Sequence, residues 1–314
     1  MNRSLAFSPR ITNSGYEIWF GTAFDFDQEV AVWFRYSTLI RPGRTPRSAI
    51  WFSFIDQKFP ERVVRTIGLN EHMESKGDQQ ILGGSGFSQN AVSGTLDDVS
   101  WNLQCQHRFE AESHVKESLM NLPIIKTKSV VISPFCGFTG EVRMGSREFR
   151  LNATGCYTHI WGTQRVPELY WCFVPRFDDA DVGLEFFAVR PKPLLPIIKF
   201  ITIRDGNTLL HQPSLWKSVN SKLNPKFPGF SASGAMSDGR FELNCSLAEP
   251  ATRYIYLDPS GSLRFIEQND ASQARLVLRK DNHVREFNSA HKAAVEFHGM
   301  QPWGEYEYRN PYEQ

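Results

Sequence analysis

Turn signals recur along this chain at intervals of roughly 8–12 residues, and the segments between them alternate apolar and polar side chains instead of repeating at helical spacing. In "EVAVWFRYSTLI" (29–40), Val30, Val32, Phe34 and Tyr36 share one face, while Trp33 and Arg35 share the other. "YEIWFGTAFDF" (16–26) precedes it across Asp27-Gln28, close enough for an antiparallel hairpin. "AIWFSFID" (49–56), "VSWNLQCQHRFE" (99–110), "ELYWCFVPRF" (168–177), "VGLEFFAVR" (182–190), "RFELNCSL" (240–247) and "AAVEFHG" (293–299) read as strands. "EVRMGSREFRLN" (141–152) and "KFITIRDGNTLL" (199–210) read as hairpins turning on Gly145-Ser146 and Asp205-Gly206. "LGGSGFSQNAVSGTL" (82–96) reads as a loop, and "ESHVKESLMNLPI" (112–124) as one short helix. A chain so patterned is mostly β and antiparallel, because parallel sheets need helical crossovers that are missing here. Its 314 residues exceed one simple core and predict two tandem β-barrel or sandwich halves, 1–152 and 153–314.

Charge excludes one class of partner. The chain has 35 Lys+Arg against 34 Asp+Glu, so it carries no electrostatic footprint for nucleic acid. Aromatics make up 13% of residues, including 24 Phe and 8 Trp, which favours strands and a wide apolar interior. The five cysteines are odd in number, widely spread and without a CxxC pair, which predicts reduced thiols and a cytoplasmic setting. No apolar run of signal-peptide or membrane-spanning length is expected, and peripheral membrane contact stays open.

Nucleophile elbows, phosphate loops and zinc-protease motifs are missing from the sequence. Cys156 and His159 have Cys-x-x-His spacing, but without a second close pair no metal site is predicted. "CYTHIWG" (156–162) sets His159 and Trp161 on one face of an extended segment. Imidazole can give or take a proton near neutral pH, and an indole face stabilises a neighbouring cation by about 0.5–2 kcal/mol. Glu185 alternates with Gly183, Phe187 and Val189, where burial raises a carboxyl's pKa and suits it to general-acid work. The competing reading makes Trp161 a core anchor, His159 a satisfied core histidine and Glu185 a surface carboxylate. Glu17 and Arg35 face each other across the first hairpin either as an inward ion pair or as a solvated one. Trp19, Trp33, Tyr36 and Trp171 line a cavity or fill it.

Several segments together resemble a known family. They are "GYEIWFGTAFDFDQEVAVWFRYSTLI", "WNLQCQHRFE", "LPIIKTKSVVISPFCGFTGEVRMGSREFRL", "GCYTHIWGTQRVPELYWCFVPRF" and "AAVEFHG". In order, they are similar to the group of AttH-like proteins, carotenoid 1,2-hydratases (hydroxyneurosporene synthases) and tocopherol-cyclase-like proteins. That resemblance implies two tandem lipocalin-like antiparallel β-barrels with few short helices. It further implies a hydratase or cyclase, of lyase or isomerase class, that uses no cofactor. Such an enzyme works on a hydrophobic isoprenoid- or polyketide-like molecule, in an apolar pocket between or within the barrels. His159 and Trp161 stand at the family's His-x-Trp pair, which with an acidic partner protonates a double bond. Where that acid is expected the chain reads "FFAV" (186–189), and Glu185 is the nearest carboxylate. Glu17, Trp19, Trp33, Arg35, Tyr36 and Trp171 are the expected ligand-binding residues. The alternative is a non-catalytic carrier of an apolar ligand, since eight-stranded barrels hold one small ligand.

Overall fold

The computed structural model describes residues 2–59, 61–113, 120, 122, 125–211 and 219–310. The helix expected over 112–124 falls mostly outside them. Of its described residues, Glu112 forms a lone antiparallel bridge with Val131.

The chain divides into two compact units, parting after Arg165, with residues 257–263 and Asn310 grouped with the first. The division expected at 152/153 is corrected by the first unit's last strand, which runs unbroken through that point to Gly162.

In the first unit β1 (Gly15–Asp25), β2 (Val30–Ile40), β3 (Arg47–Asp56) and β4 (Glu61–Leu69) form one meander. A second comprises β5 (Glu74–Lys76), β6 (Gln79–Leu82), β7 (Ser85–Phe87), β8 (Ala91–Leu96), β9 (Val99–Gln106), β10 (Thr127–Met144) and β11 (Arg147–Gly162). Pairing of β1 with β11 joins the meanders into one 11-stranded antiparallel sheet. The sheet curls until β4 comes up against the second meander. Arg65 on β4 reaches Asp98 in the β8–β9 turn at 2.9 Å, and the Leu69 side chain lies over Gly83 beyond β6. One apolar cluster, from Trp19, Phe34, Tyr36 and Phe52 to Trp101, Phe138 and Tyr157, fills the enclosed space. A five-residue helix, α1 (Arg3–Phe7), precedes β1, its first turn capped by the Asn2 side chain on the Ser4 N–H.

The second unit has the same plan. β12 (Glu168–Val174), β13 (Val182–Arg190), β14 (Ile198–Asp205) and β15 (Thr208–His211) form its first meander. Its second contains β16 (Lys222–Lys226), β17 (Gly229–Ala235), β18 (Arg240–Ser246), β19 (Thr252–Leu257), β20 (Leu263–Lys280) and β21 (His283–Gly299), with β12 pairing β21. Tyr170, Cys172, Leu184, Phe186, Ile203 and Phe297 belong to its own apolar cluster. Both units are lipocalin-like β structures, and their shared topology makes the chain a structural repeat without visible sequence repetition.

The stretch 82–96 is not a loop. Its glycines and serines form β7 and β8, where small residues are needed: Gly94 is paired with Trp101, whose indole lies where a Cβ would stand. Asp25 fixes the β1–β2 turn. One of its oxygens accepts the Asp27 and Gln28 N–H groups at 3.1 and 2.9 Å, and the other accepts the Asn152 N–H of β11 at 2.7 Å. Replacing Asp25 by Ala strands these donors and is expected to cost about 3 kcal/mol. In thermal denaturation the midpoint should fall by roughly 6–12 °C; an unchanged midpoint would show that water satisfies the same donors.

Candidate functional site

Register decides what meets what. β1 and β11 pair Trp19 with His159 and Glu17 with Trp161, so Glu17 stands diagonal to His159 on one face. The Glu17 Oε1 to His159 Nε2 distance is 2.8 Å, and both side chains are buried. Nδ1 of His159 lies 2.7 Å from the Ala6 carbonyl oxygen, which only accepts, so Nδ1 carries a hydrogen. Glu17 Oε1 also accepts the Arg10 N–H at 2.6 Å, and Oε2 the Ile11 N–H at 3.2 Å. One proton is therefore held between imidazole and carboxylate. Trp19 stacks on the imidazole at 4.3 Å and donates its indole N–H to the Phe7 carbonyl at 3.1 Å. Trp161 tilts against the same ring at 4.7 Å, with the Arg10 guanidinium 5.6 Å from the indole centroid. Both nitrogens of His159 are thus occupied, by Ala6 and Glu17, and its ring is covered by the indoles of Trp19 and Trp161. The pair fastens the N-terminal segment to the sheet.

The acidic neighbour of His159 is Glu17, not Glu185, which lies in the second unit and bonds to Trp171. Cys156, three residues from His159 on the same strand, faces the other side of the sheet, so the Cys-x-x-His spacing cannot converge on one ion. Among the described residues no group of three or more His, Cys, Asp or Glu is placed to hold a metal ion.

The expected ion pair across the first hairpin is corrected. The four-residue turn after Asp25 pairs Glu17 with Thr38 and Arg35 with Phe20, which puts the two charges on opposite faces. Glu17, Trp19 and Tyr36 face the core of the first unit. There Tyr36 donates to the Ser93 carbonyl at 3.0 Å, accepts the Trp101 indole N–H at 2.8 Å and stacks on Phe87 at 4.2 Å. Trp33 and Arg35 are buried on the reverse face.

In the second unit a different set converges. The apolar cluster takes Leu184, Phe186 and Ala188 from β13, so Glu185 and Phe187 face the other way. Trp171 and Phe173 share their face, stacked 6.1 Å apart, and the Trp171 indole N–H donates to Glu185 at 3.2 Å. Burial pushes the Glu185 carboxyl up to about 7, the indole hydrogen bond opposing with a smaller lowering effect. On the far side of β12, Trp171 pairs with Glu296 and Leu169 with His298. Glu296 and His298 Nε2 share a hydrogen bond, and Tyr256 meets the imidazole edge-on at 5.7 Å. β20 adds Gln268 opposite Glu296, and Gln268 donates to the buried Asp270 at 3.1 Å. One buried sheet face thus carries an acid held protonated near neutrality, an indole, and a carboxylate–imidazole pair.

No family model matches the sequence, and no curated protein matches it. Solved structures do. A protein assigned as an AttH from Nitrosomonas europaea superposes with a TM-score of 0.60 at 8% identity, covering 91% of this chain and 93% of its own. Kievitone hydratase from Nectria haematococca gives 0.56 at 10% identity, over 90% and 88% of the two chains. CghA in complex with Sch210972 gives 0.57 at 8%, over 95% of each. The chain has the AttH-like fold.

Within that fold, Glu296, His298, Gln268 and Asp270 were not singled out from sequence. The alternation of Glu296 and His298 in "VEFHG" carried the signal, in the same form as the "HIW" of His159 and Trp161. No helix among the described residues is long and apolar enough to cross a membrane.

Two outcomes follow from these geometries. Changing Glu17 to Gln breaks the buried pair and should cost about 3 kcal/mol or more. Limited proteolysis should then cut within residues 2–11 before anywhere else; cleavage there at the wild-type rate would show that the pair does not hold the segment. Glu185 stays protonated in the folded chain up to about pH 7, whereas its unfolded value is 4.5. Its contribution to stability is therefore complete below the unfolded value, declines as pH rises and is lost past about 7. Denaturant titrations of the Glu185→Gln variant should lack this decline between those two values, and an identical pH slope in both proteins would place Glu185 in a wetter site.

Proposed function

We propose that the chain is a hydratase- or cyclase-type enzyme that acts on a hydrophobic isoprenoid- or polyketide-like molecule by acid–base chemistry. Glu185 is its proton donor. The observation that carries this reading is a buried carboxyl with a pKa of about 7, bonded to the indole of Trp171 and surrounded by Phe173 and Phe187. A neutral carboxylic acid among aromatic faces can protonate an alkene carbon, because its own desolvation already favours the protonated form before reaction and the indole N–H steadies the carboxylate left behind. The cation that forms meets the π face of Trp171, worth about 0.5–2 kcal/mol.

The step that ends the reaction needs a base. Glu296 lies across β12 from Phe187, two residues along from the acid and about 12 Å from it at ordinary strand spacing and rise, and its partner His298 completes a proton-accepting pair. For hydration, water adds to the cation and loses its proton to this pair. For cyclisation, a second double bond captures the cation and the pair removes a proton from the adjacent carbon. Both routes return the protons they use, so neither needs a redox cofactor. His159 and Trp161 then act at one remove, by fixing residues 2–11 on the first unit. The AttH-like fold, shared with kievitone hydratase and CghA, supports a catalytic reading over that of a passive carrier.

The test is turnover of hydrophobic extract components, followed by chromatography and mass spectrometry. Wild-type activity should decline above about pH 7 as Glu185 ionises. Glu185→Gln should lose roughly 10²–10⁴ in rate and His298→Ala a comparable amount. Wild-type turnover by Glu185→Gln would remove the acid assignment. A component that co-purifies stoichiometrically and is never converted would make the protein a carrier.

A further inference from the structure

At the end of β9 a second chemical group stands apart from the face just described. Cys105 closes the strand with its thiol against the first unit's core. Two residues on, the half-buried His107 turns back, its Nδ1 3.7 Å from Cys105 Sγ and 2.7 Å from the Ser133 hydroxyl. The other ring nitrogen, Nε2, donates to Asn90 Oδ1 at 2.9 Å, which fixes the tautomer and the plane of the ring. Cys136, on β10, hydrogen-bonds the same sulfur. The cluster runs from a fully buried thiol, Cys136, to an exposed amide, Asn90, so Cys105 sits one side chain below the surface.

A nucleophile within reach of a base, and a base oriented by a third group, is the arrangement that activates a thiol. We propose that Cys105 is a peroxide-reactive cysteine, activated by His107, and that its substrate class is small hydroperoxides. The thiolate sulfur attacks one peroxide oxygen; the S–O bond forms as the O–O bond breaks. Sulfur loses two electrons and the peroxide gains them. The departing oxygen takes the proton held between His107 Nδ1 and the sulfur, leaving as water or an alcohol, and Cys105 becomes a sulfenic acid.

The surroundings agree with this role. The Cys136 hydrogen bond is the largest influence pulling the Cys105 thiol down to about 6, with the His107 hydrogen bond and charge adding to it against the opposing effect of burial. Cys136 is itself pushed up by burial and by Cys105, so it stays a thiol that donates to its neighbour. The other titratable groups acting on this pair are Cys156 and Tyr157, both on β11 and both buried. None of the five cysteines forms a disulfide, so all begin reduced.

The full-length protein treated with dilute hydrogen peroxide, trapped with dimedone and mapped by mass spectrometry tests this directly. Cys105 should be labelled at least tenfold faster than Cys136, Cys156, Cys172 or Cys245, at a rate that levels off above about pH 6. His107→Asn should slow labelling at pH 7 and move the rise in rate part of the way towards the ordinary thiol range, the Cys136 hydrogen bond still holding it down. Asn90→Ala, at an exposed position with little bearing on folding, should move it part of the way. Equal labelling of all five cysteines would trace the reaction to unfolding and overturn the proposal. So would a His107→Asn variant that keeps both rate and pH profile.

Discussion

The pairing of β1 with β11 is the contact on which the first unit depends. Each meander is local and can form from neighbours in sequence, but this ladder joins residues such as Glu17 and His159, 142 positions apart. Without it the sheet would have two free inner edges and the aromatic cluster would lie open to water. The same ladder brings a carboxylate to an imidazole in a place no local pattern specifies. Asp25 strengthens it from the turn end, reaching across to the Asn152 N–H, and the Glu17–His159 pair strengthens it from the other. A buried ion pair is a weak net stabiliser, because desolvation offsets much of the attraction. Its value here is positional: one proton is shared, the Ala6 carbonyl accepts the other imidazole N–H, and the Arg10 and Ile11 N–H groups donate to the carboxylate, which ties the N-terminal segment to the sheet.

The second unit repeats the topology and inverts the chemistry. In the first, the polar groups of β1 and β11 face inward, among Trp19 and Tyr36. In the second, β12 sends Tyr170 and Cys172 inward, while Trp171, Glu185, Glu296 and His298 occupy the opposite face. A one-residue difference in phase suffices, because strand side chains alternate. The repeat therefore does not duplicate a site. It supplies one sheet whose interior secures a segment, and one whose reverse face gathers groups able to move protons.

Much of this was legible in the sequence. Alternation identified most strands and the absence of helical crossovers, and the hairpins at Gly145-Ser146 and Asp205-Gly206 fall where turn chemistry placed them. The faces of β2 were read correctly, with Trp33 and Arg35 opposite Tyr36. Pairing across strands was not legible, since alternation says which residues share a face of one strand and nothing about the partner's register. That is why Arg35 was set against Glu17, and why Glu17 was not recognised as the acid beside His159. The strands at 85–96 were hidden for another reason: their glycines resemble loop punctuation, and only the Trp101 indole lying over Gly94 explains why small residues belong there.

The contrast between His159 and Glu185 shows why a residue's motif and its role can part. An imidazole with both nitrogens hydrogen-bonded and its ring covered by two indoles has nothing left to offer a substrate while Ala6 and Glu17 stay in place. A carboxyl with a single hydrogen bond from an indole keeps lone pairs and a proton in reserve, and burial alone moves its pKa to about 7. Of the two, the carboxyl has the chemical freedom that general-acid work requires. The His-x-Trp segment therefore sits where it secures the N-terminal residues, and the titratable groups with hydrogen-bonding capacity to spare lie on the aromatic face that Glu185 shares with Glu296 and His298.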